Sequence, residues 1–344
     1  MTADLFGGAG VTLPSLRTSS EVMQAAMRRW QQDLERPAAP TTGIQPLDDL
    51  MPGLLDRGVL TVVGARPGVG KTLLGEQIAT HVSRAHSCDV LVASLEMTAE
   101  AMARRHAIAR AAERGIQLHD PYQWRDERDS AALMDGLRNF GALPMRWYDA
   151  DSALGAVMSA LRAGIAQCRS DGRDVGLVMI DYMQLIRSGD AATRTDEVAR
   201  ASSAIAELAK SESIAVVALA QLNRGVAGSD GSVRRPVLSD LRESGTIEQD
   251  AHAVLLLHSE PTRGDEGGVH NTEIIIGKAR HWPVRQGYVI AMEQQGLRWV
   301  PRDEAAPAPA SKPLPEAAKA PPLYAGRGKY VSAMATEVSH GYDF

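Results

Sequence analysis

The chain has 344 residues, 44% hydrophobic and 23% charged, the balance of a folded protein with room for one large domain plus extensions. Its formal net charge of −5 gives no general attraction for nucleic acid and speaks against a histone-like or coating role, so any DNA contact must come from a local lining. No apolar run approaches the roughly 18–20 residues of a membrane span, and no signal peptide opens the sequence. Cys88 and Cys168 cannot build a disulfide framework and are expected to pack as small hydrophobes. A reducing, cytoplasmic setting with no membrane partner is the expectation.

In chain order, residues 1–40 read as an arm carrying one helix. With Ser19 or Ser20 as N-cap, Val22, Met23, Ala26, Met27, Trp30 and Leu34 recur at helical spacing as far as Glu35. Arg36-Pro37-Ala38-Ala39-Pro40 then breaks the helix. Its apolar stripe has to be buried against its own domain or a neighbouring subunit, and the sequence favours neither. Residues 41–302 read as one α/β domain. Apolar runs recur at Val59–Val63, Val90–Leu95, Val175–Ile180, Ile214–Leu219, Ala253–Leu257, Glu273–Ile276 and Tyr288–Met292. Helical patterns separate the first five, which predicts a mostly parallel sheet buried on both faces; the close spacing of the last runs predicts an antiparallel edge. From about Pro301 the chain turns rich in Ala and Pro, so 303–344 is expected to be a flexible tail, with Tyr342-Asp343-Phe344 at its end.

The chemistry is concentrated at the ends of these runs. Arg66-Pro67-Gly68-Val69-Gly70-Lys71-Thr72 follows the first strand and opens a helix, with Ala65 at the first glycine position of a P-loop. Gly68 and Gly70 let backbone N–H groups turn onto phosphate oxygens, and the helix N-terminus adds its dipole. Lys71 supplies charge near the β- and γ-phosphates of ATP, and the Thr72 hydroxyl is a ligand for Mg²⁺. Asp181, at the tip of Leu177-Val178-Met179-Ile180, is the second metal carboxylate. Glu96 ends another apolar strand, where a general base would stand, and Gln221 ends a third, where it could sense the γ-phosphate.

These strings together resemble the C-terminal motor domain of DnaB-type replicative helicases, a RecA-like P-loop NTPase fold preceded by a linker helix. The matching segments are TGIQPLDDL at 42–50, GARPGVGKT at 64–72, SLEM at 94–97, IDYMQLI at 180–186, QLNR at 221–224, LSDLRESGTIEQDA at 238–251 and EIIIGKAR at 273–280. LSDLRESGTIEQDA discriminates most, because generic RecA-like ATPases lack it. The resemblance implies a ring, normally a hexamer, that binds ATP between subunits and moves 5′→3′ on single-stranded DNA. It makes Lys71, Thr72 and Asp181 the Mg-ATP ligands, Glu96 the catalytic base and Gln221 the link between nucleotide state and DNA. Lys278 and Arg280 fall on the family's KxR, with Arg280 as an arginine finger acting on the adjacent subunit's nucleotide. DNA contact is implied for Arg242, Glu243, Ser244 and Gly245, with Arg242 and backbone amides on phosphates. Arg224, Arg234 and Arg235 form a second candidate channel loop, and Arg187 and Arg194 flank a third. Such contacts address the backbone and carry no base sequence.

Three departures qualify the resemblance. Only about 40 residues precede the motor-like segment, where the family usually carries a helical collar, so the collar and its primase contact lose support. His281 and Trp282 alter the turn after Arg280, and the helix around Ser202 and Ser203 carries small residues where the family often has charged ones. A helicase loader, primase or polymerase could engage the tail. Two other readings compete: a nucleotide-switched ring scaffold, which Glu96 and Arg280 argue against, and a RecA-like recombination or repair ATPase, which the DLRESG segment argues against.

Overall fold

The structure, a computed structural model, describes residues 17–35, 39–86, 88–116, 127–189, 191–223, 234–241, 245–259, 271–295 and 298–302. The linker residues 36–38, Arg224, Arg242, Glu243, Ser244 and the tail 303–344 lie outside the described residues, as do the side chains of Trp30 and Leu34.

Helix α1 (Ser19–Glu35) and the short α2 (Gln45–Leu50) precede β1 (Leu60–Ala65). Then follow α3 (Lys71–Ala85), β2 (Asp89–Ser94), α4 (Ala99–Glu113), α5 (Glu127–Gly141) and β3 (Met145–Tyr148). Next come α6 (Leu154–Ser170), β4 (Val175–Asp181), α7 (Arg194–Glu212) and β5 (Ala215–Gln221). The short α8 (Gly245–Asp250) leads into β6 (Ala253–Ser259), β7 (Asn271–Ala279), β8 (Val289–Gln295) and β9 (Arg298–Pro301).

Among the described residues, nine strands form one sheet in the order β3-β2-β4-β5-β1-β6-β7-β8-β9. From β3 to β6 all neighbours are parallel, and the last three pairings are antiparallel, as the spacing of the apolar runs predicts. Two strands escape the sequence pattern. β3 and β9 are edge strands of four residues, and β3 is only half-buried, so neither presents a continuous apolar run.

Alternation along β1 sends Leu60 and Val62 into one core and Val63 and Ala65 into the other, so both faces of the sheet are covered. The first core packs α6 and α7 through Leu161, Ile165, Ile205 and Leu208; the second packs α2 and α3 through Leu47, Leu74 and Ile78. Both cysteines are free and buried. Cys168 does more than fill space: its thiol donates to Asp89 Oδ2 at 3.0 Å, and burial beside that carboxylate pushes its pKa to about 11.

The first helix is capped differently from the expectation. Thr18, rather than Ser19 or Ser20, is the N-cap, because Glu21 stands three residues on and completes a capping box. Thr18 Oγ1 accepts from the Glu21 N–H at 3.2 Å, and Glu21 Oε2 accepts from the Thr18 N–H at 2.7 Å. Those bonds hold the Glu21 carboxyl below its ordinary pKa. Among the described residues, the apolar stripe finds no cover at Val22, Met23 and Met27, which are 49%, 55% and 52% exposed.

Candidate active site

Parallel register brings the strand tips together. Ala65, which enters the P-loop, pairs with Gln221, and Ser94, two residues before Glu96, pairs with Asp181. A sheet of this kind opens its crevice at the C-terminal ends of its strands, and a cavity of about 350 Å³ lies there. It is lined by Ala65–Gly68, Gly70–Thr72, Glu96, Met97, Arg105 and Gln221.

The P-loop backbone is built for close approach. Gly68 (φ 80°) and Gly70 (φ 95°) both sit in the left-handed region that other residues avoid. A Cβ on Gly68 would meet nothing within 4 Å, so space for an oxyanion lies open beside it. Gly70 faces inward instead: its Cβ would lie 2.7 Å from Cζ2 of Trp299. The Gln77 side chain clamps that tryptophan's backbone at both its N–H and its C=O, 2.8 Å each, and so ties β9 to the P-loop helix. No sequence signal connects positions 70, 77 and 299.

Lys71 is the centre of charge. Its Nζ donates to Asp181 Oδ1 at 2.9 Å, stands 4.0 Å from Glu96 Oε2 and lies 4.1 Å above the Tyr182 ring. Burial, with Glu96 and Asp181 close by, pushes the Tyr182 phenol above its ordinary pKa. Asp181 is 1% exposed, and its Oδ2 has no hydrogen-bond partner among the described residues. A buried carboxylate oxygen left open is costly unless a cation or donor meets it, so the donor set fits a hard divalent cation shared with the Thr72 hydroxyl. Glu96 is half exposed on the wall of this cavity. Gln221 is held through its backbone: Gln184 accepts from its N–H and donates to its C=O, 3.0 Å each. Gln184 lies within IDYMQLI, yet its spacing gives no hint of this clamp.

Lys278 and Arg280 are elsewhere. β7 runs antiparallel to β6, so Ala279 pairs with Ala253, whereas the P-loop end of the sheet is at Leu257. Four residues of strand, about 13 Å, separate the two ends, and neither cation joins the cavity of its own chain. Both instead cap the C-terminal end of α8. Lys278 donates to Ala251 O at 2.8 Å and to Glu248 O, and exposed Arg280 donates to Gln249 O at 2.7 Å. Burial, with Arg280 alongside, lowers the Lys278 pKa. Two of the departures from the family pattern have structural roles here. His281 stacks 5.3 Å from His252, and Trp282 Nε1 donates to Pro52 O at 2.7 Å. The small Ser202 and Ser203 hydroxyls hold Asp250 of α8 at 2.8 and 3.2 Å.

Of the residues assigned to DNA, Arg224, Arg242 and Glu243 lie outside the described residues, and Gly245 opens α8. Arg234 forms a bidentate pair with Asp240 at 2.8 and 2.6 Å. Burial alone would raise the Asp240 pKa, but bonds from Arg234 and the Val237 N–H hold it below its ordinary value. Arg235 pairs with Glu273 at 2.7 and 2.5 Å. Arg187 meets Ser152 and Asp151, and Arg194 meets Glu197 and Gln184 O.

Residues 40–296 match the DnaB-like helicase C-terminal domain. The chain belongs to that family. It is 30% identical over 253 residues to a probable replicative DNA helicase of Trieres chinensis, covering 72% of this chain and 54% of that protein. It is 34% identical over 250 residues to the replicative DNA helicase DnaB of Pasteurella multocida, covering 71% and 51%. It is also 34% identical over 249 residues to the replicative DNA helicase DnaC of Bacillus subtilis, covering 71% and 52%. The chain thus spans about half the length of these relatives. Its fold matches the ATPase domain of G40P at a TM-score of 0.66 and 24% identity, covering 82% of this chain and 99% of that one. A DnaB-like replicative helicase, described with its interactions with primase, matches at 0.66 and 23%, covering 83% and 67%. Membership of the DnaB-like helicase C-terminal domain family implies nucleotide binding. No helix among the described residues is long and apolar enough to cross a membrane.

Proposed function

We propose that this chain is the motor of a ring-shaped replicative DNA helicase, hydrolysing ATP between subunits while translocating 5′→3′ on single-stranded DNA and unwinding duplex. The observation that carries this reading is the split of the machinery between the two ends of one sheet. Lys71, Asp181 and Glu96 meet at the P-loop end, while Lys278 and Arg280 stand at the other, out of reach of their own cavity. A site divided in this way is completed by a second copy, which argues for a closed ring, normally of six subunits.

In this mechanism the backbone from Gly68 to Gly70 and the Lys71 ammonium bind the β- and γ-phosphates. Thr72 and Asp181 would hold Mg²⁺, which supplies charge neutralisation on the phosphates. Glu96 orients the attacking water and accepts its proton at a carboxylate oxygen. Gln221, its backbone fixed by Gln184, reports the phosphate state toward the segment at 224–233. Arg280 of the neighbouring copy meets the charge that develops on the transferred phosphoryl group, with Lys278 beside it. Single-stranded DNA would be held at its phosphates by the Arg242 side chain and the backbone amides of Glu243 and Gly245. Arg224, Arg234 and Arg235 would form a further rim, the last two only after exchanging Asp240 and Glu273 for phosphate. The exposed stripe of α1 would dock on an adjacent copy, and the tail could engage a loader, primase or polymerase.

The test is unwinding of forked duplexes with tails of defined polarity, run with phosphate release and a mass measurement of the assembly. DNA-stimulated hydrolysis and unwinding from a 5′ tail are expected. Hydrolysis that ignores single-stranded DNA would turn the reading toward a scaffold.

A further inference from the structure

The helix that engages Lys278 and Arg280 within their own chain is also the helix that follows the proposed DNA segment. α8 spans six residues, about 9 Å. Its first residue, Gly245, comes directly after Arg242, Glu243 and Ser244 in sequence. Its other end presents backbone carbonyls that carry the negative end of the helix dipole. Lys278 donates to Glu248 O and, just past the helix, to Ala251 O at 2.8 Å. Arg280 donates to Gln249 O at 2.7 Å. The two ends of one short helix thus face two different parts of the proposed motor.

That berth is itself held in place. His252, which follows it, is stapled to β1 in both directions: its N–H donates to Leu60 O at 2.9 Å, and its Nδ1 accepts from the Leu60 N–H at 3.1 Å. Ile247 is buried in the first core. The polar hold is Asp250, whose Oδ2 accepts from the Ser202 and Ser203 hydroxyls of α7 at 2.8 and 3.2 Å. Ser202 is fully buried, so its bond to Asp250 is shielded from water. A guanidinium that leaves Gln249 O for another site gives up a charge-assisted bond. Whatever fixes the carbonyls of α8 raises the cost of leaving, and whatever tilts the helix lowers it.

We propose that α8 is a latch on Arg280, closed by the contact of Asp250 with Ser202 and Ser203 and opened when DNA phosphates draw on the segment before Gly245. This rests on the reading of Arg280 as a residue that acts across subunits and of 242–245 as a DNA segment. Closed, the latch keeps Arg280 in its own chain and holds hydrolysis low without DNA. Open, it releases the guanidinium to the adjacent copy. Asp250, Ser202 and Ser203 are positioning residues, which act only through Arg280.

Phosphate release by the full chain, with and without a single-stranded oligonucleotide, tests the latch, and thermal melting verifies folding. Asp250→Ala should raise the DNA-free rate about fivefold, the population change that loss of one hydrogen bond permits. The DNA-stimulated rate should stay nearly the same. Asp250→Asn keeps an acceptor for both serines and should restore the low DNA-free rate. Ser203→Ala, at an exposed position, should give a smaller rise, and it decides alone if Asp250→Ala does not fold. A DNA-free rate that does not rise, or equal losses with and without DNA, would make the contact merely structural and overturn the proposal. So would a gain that persists when Arg280→Ala is added to Asp250→Ala. Arg280→Ala alone separates the two levels of inference. If that variant turns over normally, the reading of Arg280 fails; if it loses turnover while Asp250→Ala and Ser203→Ala change nothing, only the latch fails.

Discussion

The two ends of the central sheet carry similar charges to different purposes. At the P-loop end, Lys71, Asp181 and Glu96 converge on a cavity, with an open oxygen on Asp181 and a half-exposed Glu96. At the opposite end, Lys278 and Arg280 are spent on carbonyls of α8, and the His252 and His281 rings lie 5.3 Å apart. The first end is short of partners and the second is supplied with them. An arrangement short of partners awaits a ligand; one already supplied must be released to act elsewhere. On the proposed mechanism the two are halves of one catalytic centre, joined only when copies meet.

Substitutions at each end break or sharpen this contrast. Lys71→Ala should reduce DNA-stimulated phosphate release to background, a loss of about 10³-fold or more, with the melting temperature little changed; normal turnover would remove Lys71 from the site. Arg280→Ala should cost about 10³-fold, and the diagnostic is mixing with wild type. Activity should then fall faster than the wild-type fraction, whereas simple dilution would exclude action across subunits. Glu96→Gln should slow turnover by about 10²–10⁴-fold while nucleotide binding persists. Parallel loss of binding would make Glu96 a ligand instead of a base.

The smallest effect lies at the partnered end. Burial, then His281, Arg280 and Lys278, hold the His252 pKa below its ordinary value, in keeping with its Nδ1 accepting from the Leu60 N–H at 3.1 Å. As pH falls, the unfolded chain therefore takes up this proton first. The stabilising contribution is complete above about pH 6.5, the unfolded histidine value, and is lost as pH drops toward the folded one. The melting temperature should fall below neutrality, and His252→Gln should make that fall shallower. Only part of the slope should go, because burial and His81 depress His86 in the same direction. An unchanged slope would mean that His252 titrates alike in both states.

Much of the P-loop end is legible in the sequence because strand, turn and helix follow one another locally. Gly68 and Gly70 announce their backbone conformations, and an acid after four apolar residues announces a strand tip. The antiparallel edge is legible from spacing alone. What escapes is contact at long range. Gln184 gripping Gln221 and Gln77 clamping Trp299 join distant positions through side chains, and no period or motif encodes those pairings. The arginines of the candidate channel loop show the converse. Arg234 and Arg235 read as free positive charge, but their carboxylate partners Asp240 and Glu273 are fixed only by the fold. β9 is missed because four residues with one buried tryptophan make too short a pattern.

The packing of Trp299 on Gly70 carries a genetic consequence. Any side chain at position 70 meets two independent obstacles, a positive φ and an indole 2.7 Å from the new Cβ. A second-site change that shrinks Trp299 would lift the steric obstacle and leave the torsional one. Suppressors of Gly70 substitutions should therefore be scarce and partial. Suppressors of substitutions at Gly68, whose only obstacle is its φ, should not map to β9 at all.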